Sequence, residues 1–256
     1  MSVLVLTFVT ILASTAALWP LSLLLRDCSI IDIFWSFGFL IIALVAMQAA
    51  QADGARALMV VGLVALWAFR LGVHIFLRWR KKGEDYRYAA MRAKHGARWW
   101  WWSFFQVFML QALLLWTISL PVQAAILAPD STHGLTDVLG AMLVLCGIAL
   151  EAVADIQLTH FRANPANAGR VMDRGVWSWS RHPNYFADAL MWWGFYIIAL
   201  GTGGWWTIIG PIVMTVLLLK VSGVSLMEDG IDERRPAYAD YKRRVSAFVP
   251  MPPRRG

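Results

Sequence analysis

The chain has 256 residues, of which 59% are hydrophobic and only 15% charged, and its formal net charge is +7. This balance excludes an ordinary soluble domain of that length and favours a polytopic membrane protein. The two cysteines stand far apart in sequence, without CxxC spacing, so we expect neither a disulfide nor a structural zinc site.

Runs of about 20 apolar residues, the length that crosses about 30 Å of hydrocarbon as a helix, recur along the chain. They predict an all-α integral membrane protein with seven transmembrane helices in a single membrane domain, residues 1–256. The first run lacks a preceding basic segment, so we interpret it as a retained helix rather than a secretory signal. The predicted spans are 3–25, 30–50, 55–79, 101–127, 135–158, 184–201 and 205–226.

The basic residues predict the orientation, because positively charged loops stay in the cytoplasm. With the N-terminus outside, all but three of the 23 basic residues fall in inward segments, and the C-terminus is cytoplasmic. The exceptions are Arg56, Arg70 and Lys220. The outward connections are short, so a site for a soluble anionic cofactor should open toward the cytoplasm. The inward charge also suits anionic lipid headgroups.

The basic segment 78–98 has the composition of a helix lying on the membrane surface. Its residues nearest the membrane, Arg78 and Arg80, are candidates for contact with cofactor phosphates. The following sequence RWWWWSFF is typical of a tryptophan belt at the membrane interface.

We single out four of the acidic residues within predicted membrane spans, where ionisable groups are expensive and mark a site or a buried pair. Asp32 lies early in the second span. Glu151 and Asp155 are four apart, so they share one face of the fifth helix, and Asn184 and Asp188 repeat this spacing in the sixth. Two interpretations remain open: these acids neutralise neighbouring arginines, or they line a site.

The connection between the fifth and sixth helices, NPANAGRVMDRG, is rich in Pro, Gly and Asn. Its backbone N–H groups and arginines suit phosphate groups. Pro183 is well placed in the first turn of the sixth helix, whose positive end would favour an anionic ligand. The polar residues at that end are Ser180, Arg181 and His182.

The stretches EAVADIQLTHFRANPANAGRVMDRG, GVWSWSRHPNYFAD and YADYKRRVSAFVP resemble the C-terminal half of the membrane steroid 5-alpha-reductase superfamily, in its bacterial branch of unassigned members. The resemblance covers about residues 140–252. It implies a seven-helix bundle that binds NADPH at its cytoplasmic end. It also implies reduction of a carbon–carbon double bond conjugated to a carbonyl in a lipophilic substrate. Residues 1–130 would form the substrate side, and residues 131–256 the cofactor-binding helices and tail.

The resemblance also implies which residues hold NADPH. Asp155 and Arg162 match an acid and an arginine that hold the nucleotide, and Arg170 matches a basic residue near its phosphates. Asn184 and Asp188 match the pair in the family's N-F-x-G-E motif, with Asp for the usual Glu and Ala for the usual Gly. The other expected cofactor contacts are Arg78, Arg80, Ser180, Arg181, His182, Tyr185, Glu228, Tyr238 and Tyr241.

Enone reduction needs an electrophile that stabilises the developing enolate. The resemblance implies a carboxylic acid on the second helix acting with a tyrosine on the third. Asp32 is the candidate acid, kept protonated by burial. The third helix has no tyrosine, so Tyr88 in the following loop is the candidate, with His74 as a rival donor. The residues expected to line the substrate chamber are Trp35, Trp67 and Met191.

Two alternatives belong to other classes. An RHPxY sequence with a basic, aromatic tail also resembles S-adenosylmethionine-dependent membrane methyltransferases of the isoprenylcysteine carboxyl type, although that cofactor has no phosphate for Arg162 and Arg170. A transporter or lipid-binding bundle would use the buried acids as proton relays, although no inverted repeat is evident. The expected partners are a steroid-like or other enone lipid and membrane lipids, with no nucleic acid and no metal. The expected location is a bacterial inner membrane.

Overall fold

The computed structural model describes residues 1–129, 134–221, 223–231 and 236–254. Within these ranges the regular secondary structure is helical, apart from a parallel bridge between Ser180 and Ser246. The helices are α1 (Val3–Leu25), α2 (Ile30–Ala50), α3 (Ala55–Lys82), α4 (Tyr86–His95), α5 (Trp99–Ser103), α6 (Leu110–Ile118), α7 (Leu120–Leu127), α8 (Leu135–Ala163), α9 (Pro183–Leu200), α10 (Ile209–Val216), α11 (Val224–Glu228) and α12 (Ala237–Arg244).

Six helical stretches among the described residues are long and apolar enough to cross a membrane. They confirm an all-helical membrane protein. They are Val3–Leu25, Ile30–Ala50, Ala55–Lys82, Tyr86–Ile118, Leu135–Ala163 and Trp205–Glu228. The helix predicted at 184–201 forms as α9, but it is not among the six, because its 18 residues include Asn184 and Asp188. A seventh span and the orientation of the termini remain predictions.

α9 is enclosed by other helices, with α8, α7 and α10 packed against it. Glycines allow α8 and α9 to approach closely. A Cβ added to Gly147 would lie 2.7 Å from the carbonyl oxygen of Ala187, and one added to Gly140 would lie 2.6 Å from that of Gly194. Small residues at a helix crossing in lipid bring two backbones into van der Waals contact. This crossing places the acids of α8 beside the first turns of α9.

An ion pair links α3 to α8 at the end of the bundle where both helices begin. Arg56 donates from Nε and Nη2 to the two carboxylate oxygens of Asp137, at 3.0 and 3.1 Å. Its third nitrogen, Nη1, donates to the carbonyl oxygen of Pro129 at 3.2 Å. Arg56 is only 4% exposed. It was expected in an outward loop, but it lies inside the first turn of α3 and ties that helix to α8.

The basic segment 78–98 does not form the single surface helix that its composition suggested. α3 continues to Lys82, so Arg78 and Arg80 belong to its last turns. The rest forms α4, which lies between Gly83 and Gly96, both with positive φ angles that favour glycine. This separate helix turns Tyr88 toward the bundle, where it is 5% exposed.

The span predicted at 101–127 is also divided. A π-helical stretch, Phe104–Met109, joins α5 to α6, and the helix is interrupted at Ser119 before α7. Pro121 lies in the first turn of α7, where proline is tolerated but cannot donate to the preceding turn. The interruption therefore has a local cause in the sequence.

Candidate functional site

The polar side chains at the end where α2 and α9 begin and α3 and α8 end form three clusters. We call them the dyad (Asp32 and Tyr88), the acidic cluster (Arg70, Glu151, Asp155 and Asp188) and the clasp (Arg181, His182, Glu228 and Tyr238). Helix order along the chain brings these segments to one end of the bundle, as the sequence predicted for the cofactor side.

The dyad joins an acid on α2 to a tyrosine on α4. Tyr88 Oη donates to Asp32 Oδ1 at 2.6 Å. Arg87 Nη2 donates to the other carboxylate oxygen, Oδ2, at 3.0 Å. Gln111 Nε2 donates to Tyr88 Oη at 3.3 Å. The structure thus brings together the two residues that sequence reasoning selected as acid and tyrosine. It supplies the tyrosine from α4 rather than from α3.

Local hydrogen bonds fix α4 against the beginning of α2. Asp85 caps α4 by accepting from the backbone N–H of Arg87 at 3.0 Å. The N–H of Asp85 donates to Ser29 Oγ at 2.8 Å, immediately before α2. Burial opposes ionisation of Asp85, but its hydrogen bonds with Arg87 prevail and lower the pKa of Asp85. A charged Asp85 therefore holds Arg87 in place at neutral pH.

The acidic cluster connects α3, α8 and α9. Arg70 Nη1 donates to Asp155 Oδ2 at 2.6 Å, and the same guanidinium forms an ion pair with Glu151. Trp67 Nε1 donates to Glu151 Oε2 at 3.2 Å. Asn184 Nδ2 donates to Asp155 Oδ1 at 3.5 Å. Asp155 and Asn184, which were both expected to hold the coenzyme, are therefore in contact, and Arg70 is a member that sequence reasoning did not include.

The acidic cluster contains more acidic groups than basic ones. With Asp188 it holds three carboxyl groups beside one guanidinium. Asp188 Oδ1 and Arg70 Nε are buried and have no hydrogen-bond partner among the described residues. The indole of Trp192 approaches Asp188 but does not reach hydrogen-bond geometry. A buried polar atom without a partner costs about 1–3 kcal/mol. The cluster therefore offers spare donors and acceptors to a ligand.

Other predicted residues lie around these two clusters. His74 Nε2 is 3.9 Å from Asp155 Oδ2, so the rival proton donor belongs to the acidic cluster rather than to the dyad. Tyr185 is half-buried, and its ring stacks on that of His182 with centroids 5.4 Å apart. Arg80 is exposed, with its guanidinium carbon 6.0 Å from the ring centroid of Phe76.

The two arginines expected to hold the nucleotide lie nearer the protein surface than the acidic cluster does. Arg162 is in the last turn of α8, about 10 Å along the helix axis from Asp155. Arg170 lies in the connection that follows. Both side chains are exposed, whereas Asp155 is buried. The structure therefore leaves these arginines at the surface beyond the acidic cluster.

The clasp consists of residues that the sequence assigned to the cofactor but that contact one another. Arg181 donates from Nε and Nη2 to the two oxygens of Glu228, at 2.7 and 3.0 Å. His182 Nε2 is 3.0 Å from Glu228 Oε1, and Tyr238 Oη donates to that oxygen at 3.3 Å. Burial and then the charge of Glu228 raise the pKa of Tyr238, so its hydroxyl remains a neutral donor.

The tail is fastened to the segment before α9 by further hydrogen bonds. Tyr241 Oη donates to the carbonyl oxygen of Trp177 at 2.5 Å. Ser180 Oγ donates to the carbonyl oxygen of Phe248 at 2.8 Å. Ser180 and Tyr241 are both buried. These contacts hold the start of α9, and with it Asn184, in place.

The residues expected to line a substrate chamber lie in or beside the packed core. Trp67 is fully buried, with ring centroids 5.5 Å from Phe39 and 5.6 Å from Trp192. Met191 is fully buried where α9 crosses α8, and Trp35 is half-buried against Phe39. A cavity of about 450 Å³ lies beside the clasp instead, lined by Lys220, Val221, Ser225, Leu226, Glu228 and Asp229.

Some site residues carry a signal in the sequence and others do not. Arg70 is an ionisable residue inside an apolar run, which by itself indicates a site or a buried pair. Gln111 is one of three glutamines in the apolar run 101–127 and is a weaker signal of the same kind. Arg87 is one of several arginines in a basic segment, so nothing in the sequence distinguishes it. Glu228 was selected only for its position at the end of the last span.

Residues 18–245 match a family model described as a protein of unknown function, DUF1295. A Schizosaccharomyces pombe protein described as uncharacterized protein C594.04c is 26% identical over 266 residues, which cover 91% of this chain and 75% of that protein. No solved structure matches the chain. Since the family model covers most of the sequence, the chain belongs to the DUF1295 family.

Proposed function

We propose that the protein is an NADPH-dependent membrane reductase of a carbon–carbon double bond conjugated to a carbonyl in a lipophilic substrate. The observation that carries the proposal is the 2.6 Å hydrogen bond between the buried Tyr88 and the half-buried Asp32, at one end of an apolar bundle. The resemblance of residues 140–252 to the steroid 5-alpha-reductase superfamily supports the same reaction. A steroid-like enone or another enone or enoyl lipid is the proposed substrate.

The dyad gives the tyrosine a defined proton. Tyr88 Oη accepts from Gln111 and donates to Asp32, so its hydroxyl hydrogen points in one direction. A substrate carbonyl that replaces Asp32 as acceptor would receive a hydrogen bond that strengthens as the oxygen gains negative charge. Once Asp32 has taken up a proton from water, it would donate that proton to the tyrosyl oxygen and restore the hydroxyl. A carboxylic acid acting with a tyrosine is the pair that the resemblance implied.

The acidic cluster has the chemistry to hold the coenzyme at the same end. Its unpartnered N–H of Arg70 and unpartnered oxygen of Asp188 suit the amide and hydroxyl groups of a nicotinamide nucleotide. Asp155, Asn184 and Asp188 would hold that part of the molecule. The coenzyme would supply hydride. The exposed arginines that we propose bind its phosphates are Arg78, Arg80, Arg162 and Arg170.

The contacts of the clasp support an indirect role for its residues. Arg181, His182 and Glu228 bind one another, and the tail is fastened to the segment before α9. Because Asn184 and Asp188 lie in the first turns of that helix, the clasp would set their position. Its members would then support the coenzyme site rather than line it.

The test is reduction of defined enones by the purified protein in lipid nanodiscs. The protein is incubated with NADPH and either a 3-oxo-4-ene steroid or an enoyl lipid, and products are identified by mass spectrometry. We expect a product that has gained two hydrogen atoms. Hydride labelled with deuterium on the coenzyme should appear at the β carbon.

Two tyrosine variants provide the control. Tyr88→Phe should slow the reaction by about 100- to 10,000-fold, because it removes the proton donor. Tyr86→Phe, two residues away on α4 and 62% exposed, should leave the rate unchanged. Equal rates for both variants, or no reduction of any enone by the parent protein, would contradict the proposal.

A further inference from the structure

Arg87 contacts both members of the dyad. Its Nη2 donates to Asp32 Oδ2 at 3.0 Å, and its guanidinium carbon lies 5.6 Å from the ring centroid of Tyr88. We infer that Arg87 is a positioning residue, which holds Asp32 and Tyr88 in the geometry required for proton transfer. Its catalytic meaning rests on the proposed function, whereas the geometry is testable without any substrate.

Arg87 is itself held by a carboxylate that belongs to the backbone framework. Its Nε donates to Asp85 Oδ1 at 2.8 Å, and the same oxygen caps α4. Asp85 is in turn tied by its N–H to Ser29, three residues before Asp32. The contacts from Ser29 through Asp85 and Arg87 to Asp32 therefore form a closed ring between the beginnings of α2 and α4.

The guanidinium group of Arg87 fixes the separation between the carboxylates of Asp85 and Asp32, because its nitrogens lie in one rigid plane. With Arg87 on Oδ2, Asp32 presents only Oδ1 to the hydroxyl of Tyr88. Gln111 occupies the opposite side of that hydroxyl. The hydroxyl hydrogen is thereby confined to one direction. A lysine would offer a single ammonium group on a flexible stem and could not bridge the two carboxylates in the same way.

The same helix offers a matched control. Arg92 forms an ion pair with Glu84 at 2.5 Å, one turn farther along α4. Its side chain is 34% exposed, compared with 27% for Arg87. The two arginines therefore have similar surroundings and each pairs with an acid of the α3–α4 turn. Arg87 also contacts Asp32, whereas the carboxylate that Arg92 contacts is that of Glu84.

The experiment places meta-fluorotyrosine at position 88 and records its fluorine NMR signal in detergent. The backgrounds are the parent protein, Arg87→Met, Arg87→Lys and Arg92→Met. We expect Arg87→Met to shift and broaden the signal, Arg87→Lys to restore part of the parent position, and Arg92→Met to leave it unchanged. Asp85→Asn, which removes the anchor of Arg87, should shift it in the same direction, and it serves as the test if Arg87→Met does not fold.

Reduction rates provide the second readout. Misplacing the dyad should slow the reaction by about 100-fold in Arg87→Met, with Arg87→Lys intermediate and Arg92→Met close to the parent. A Tyr88 signal that is the same in Arg87→Met, Asp85→Asn and the parent, or that moves as much in Arg92→Met, would overturn the inference. A signal that responds as expected in a protein that reduces no enone would leave the positioning role standing and remove the proposed function.

Discussion

Two arginines of α3, Arg56 and Arg70, both pair with acids of α8. The two sites differ in the number of carboxyl groups beside each arginine and in whether every arginine nitrogen has a partner. Among the described residues Arg56 pairs with the carboxylate of Asp137, and all three of its side-chain nitrogens donate to Asp137 or to Pro129. Arg70 lies among three carboxyl groups, and its Nε has no partner within the described ranges.

The difference separates a structural contact from a candidate site. A closed pair such as Arg56 with Asp137 offsets the cost of burying its charges and fixes one helix against another. An unbalanced cluster at membrane depth is costly, and the packing of α3 on α8 does not require it. Spare donors and acceptors at the same end of the bundle as the dyad are what a polar ligand would use. The predictions below apply matched changes to both sites.

The largest expected effect on stability is at the closed pair. Asp137→Asn should destabilise the protein by about 3–5 kcal/mol, because it removes the negative charge that Nε and Nη2 of the buried Arg56 contact. Thermal unfolding in a fixed detergent measures the change. The double variant Arg56→Met with Asp137→Leu should recover most of the loss. A double variant no more stable than the single one would show that the pair is not what ties these helix ends together.

The same substitution at the acidic cluster should behave differently. Asp188→Asn removes a buried carboxyl oxygen that lacks a partner, so we expect a cost below about 1 kcal/mol, or a gain. Its effect should fall instead on the stabilisation of the protein by coenzyme. Equal destabilisation by Asp188→Asn and Asp137→Asn would remove the distinction between the two sites.

We expect a smaller loss of stability from a substitution in the C-terminal tail. Tyr241→Phe should cost about 1–2 kcal/mol, because it leaves the buried carbonyl of Trp177 without its donor. It should also make residues after Tyr241 more sensitive to protease. Tyr196→Phe is the matched control, since its hydroxyl bonds the carbonyl of Trp205 in an exposed setting. Similar protease sensitivity in both variants would contradict an anchoring role for Tyr241.

The parts of this structure that sequence could predict are those that depend on local pattern. Apolar runs located six of the spans, and acids inside such runs located Asp32, Asp155 and Asp188. The interruption before α7 has its own signal in Pro121, although the predicted span ignored it. Local pattern therefore accounts for the helices and for which of their residues are costly in lipid.

The rest of the structure depends on contacts between segments that are far apart in sequence. No repeating sequence pattern indicates such contacts. Tyr88 reaches Asp32 across 56 positions because α4 folds back after Gly83. Arg181 contacts Glu228 across 47 positions, so two residues chosen as cofactor ligands bind one another. No spacing in the sequence reports either pairing, because each depends on which helix ends meet after packing.

The most direct test of the central claim is a coenzyme titration of the detergent-purified protein, followed by thermal unfolding. NADPH, NADH and S-adenosylmethionine are compared, since a ligand of the folded state stabilises it by about 2.7 kcal/mol at 100 times its Kd. We predict that NADPH raises the unfolding temperature and that Asn184→Ala, Arg170→Ala and Asp188→Asn weaken the rise. A rise with S-adenosylmethionine alone would assign methyl transfer instead, and no rise with any of the three would contradict an enzyme of either kind.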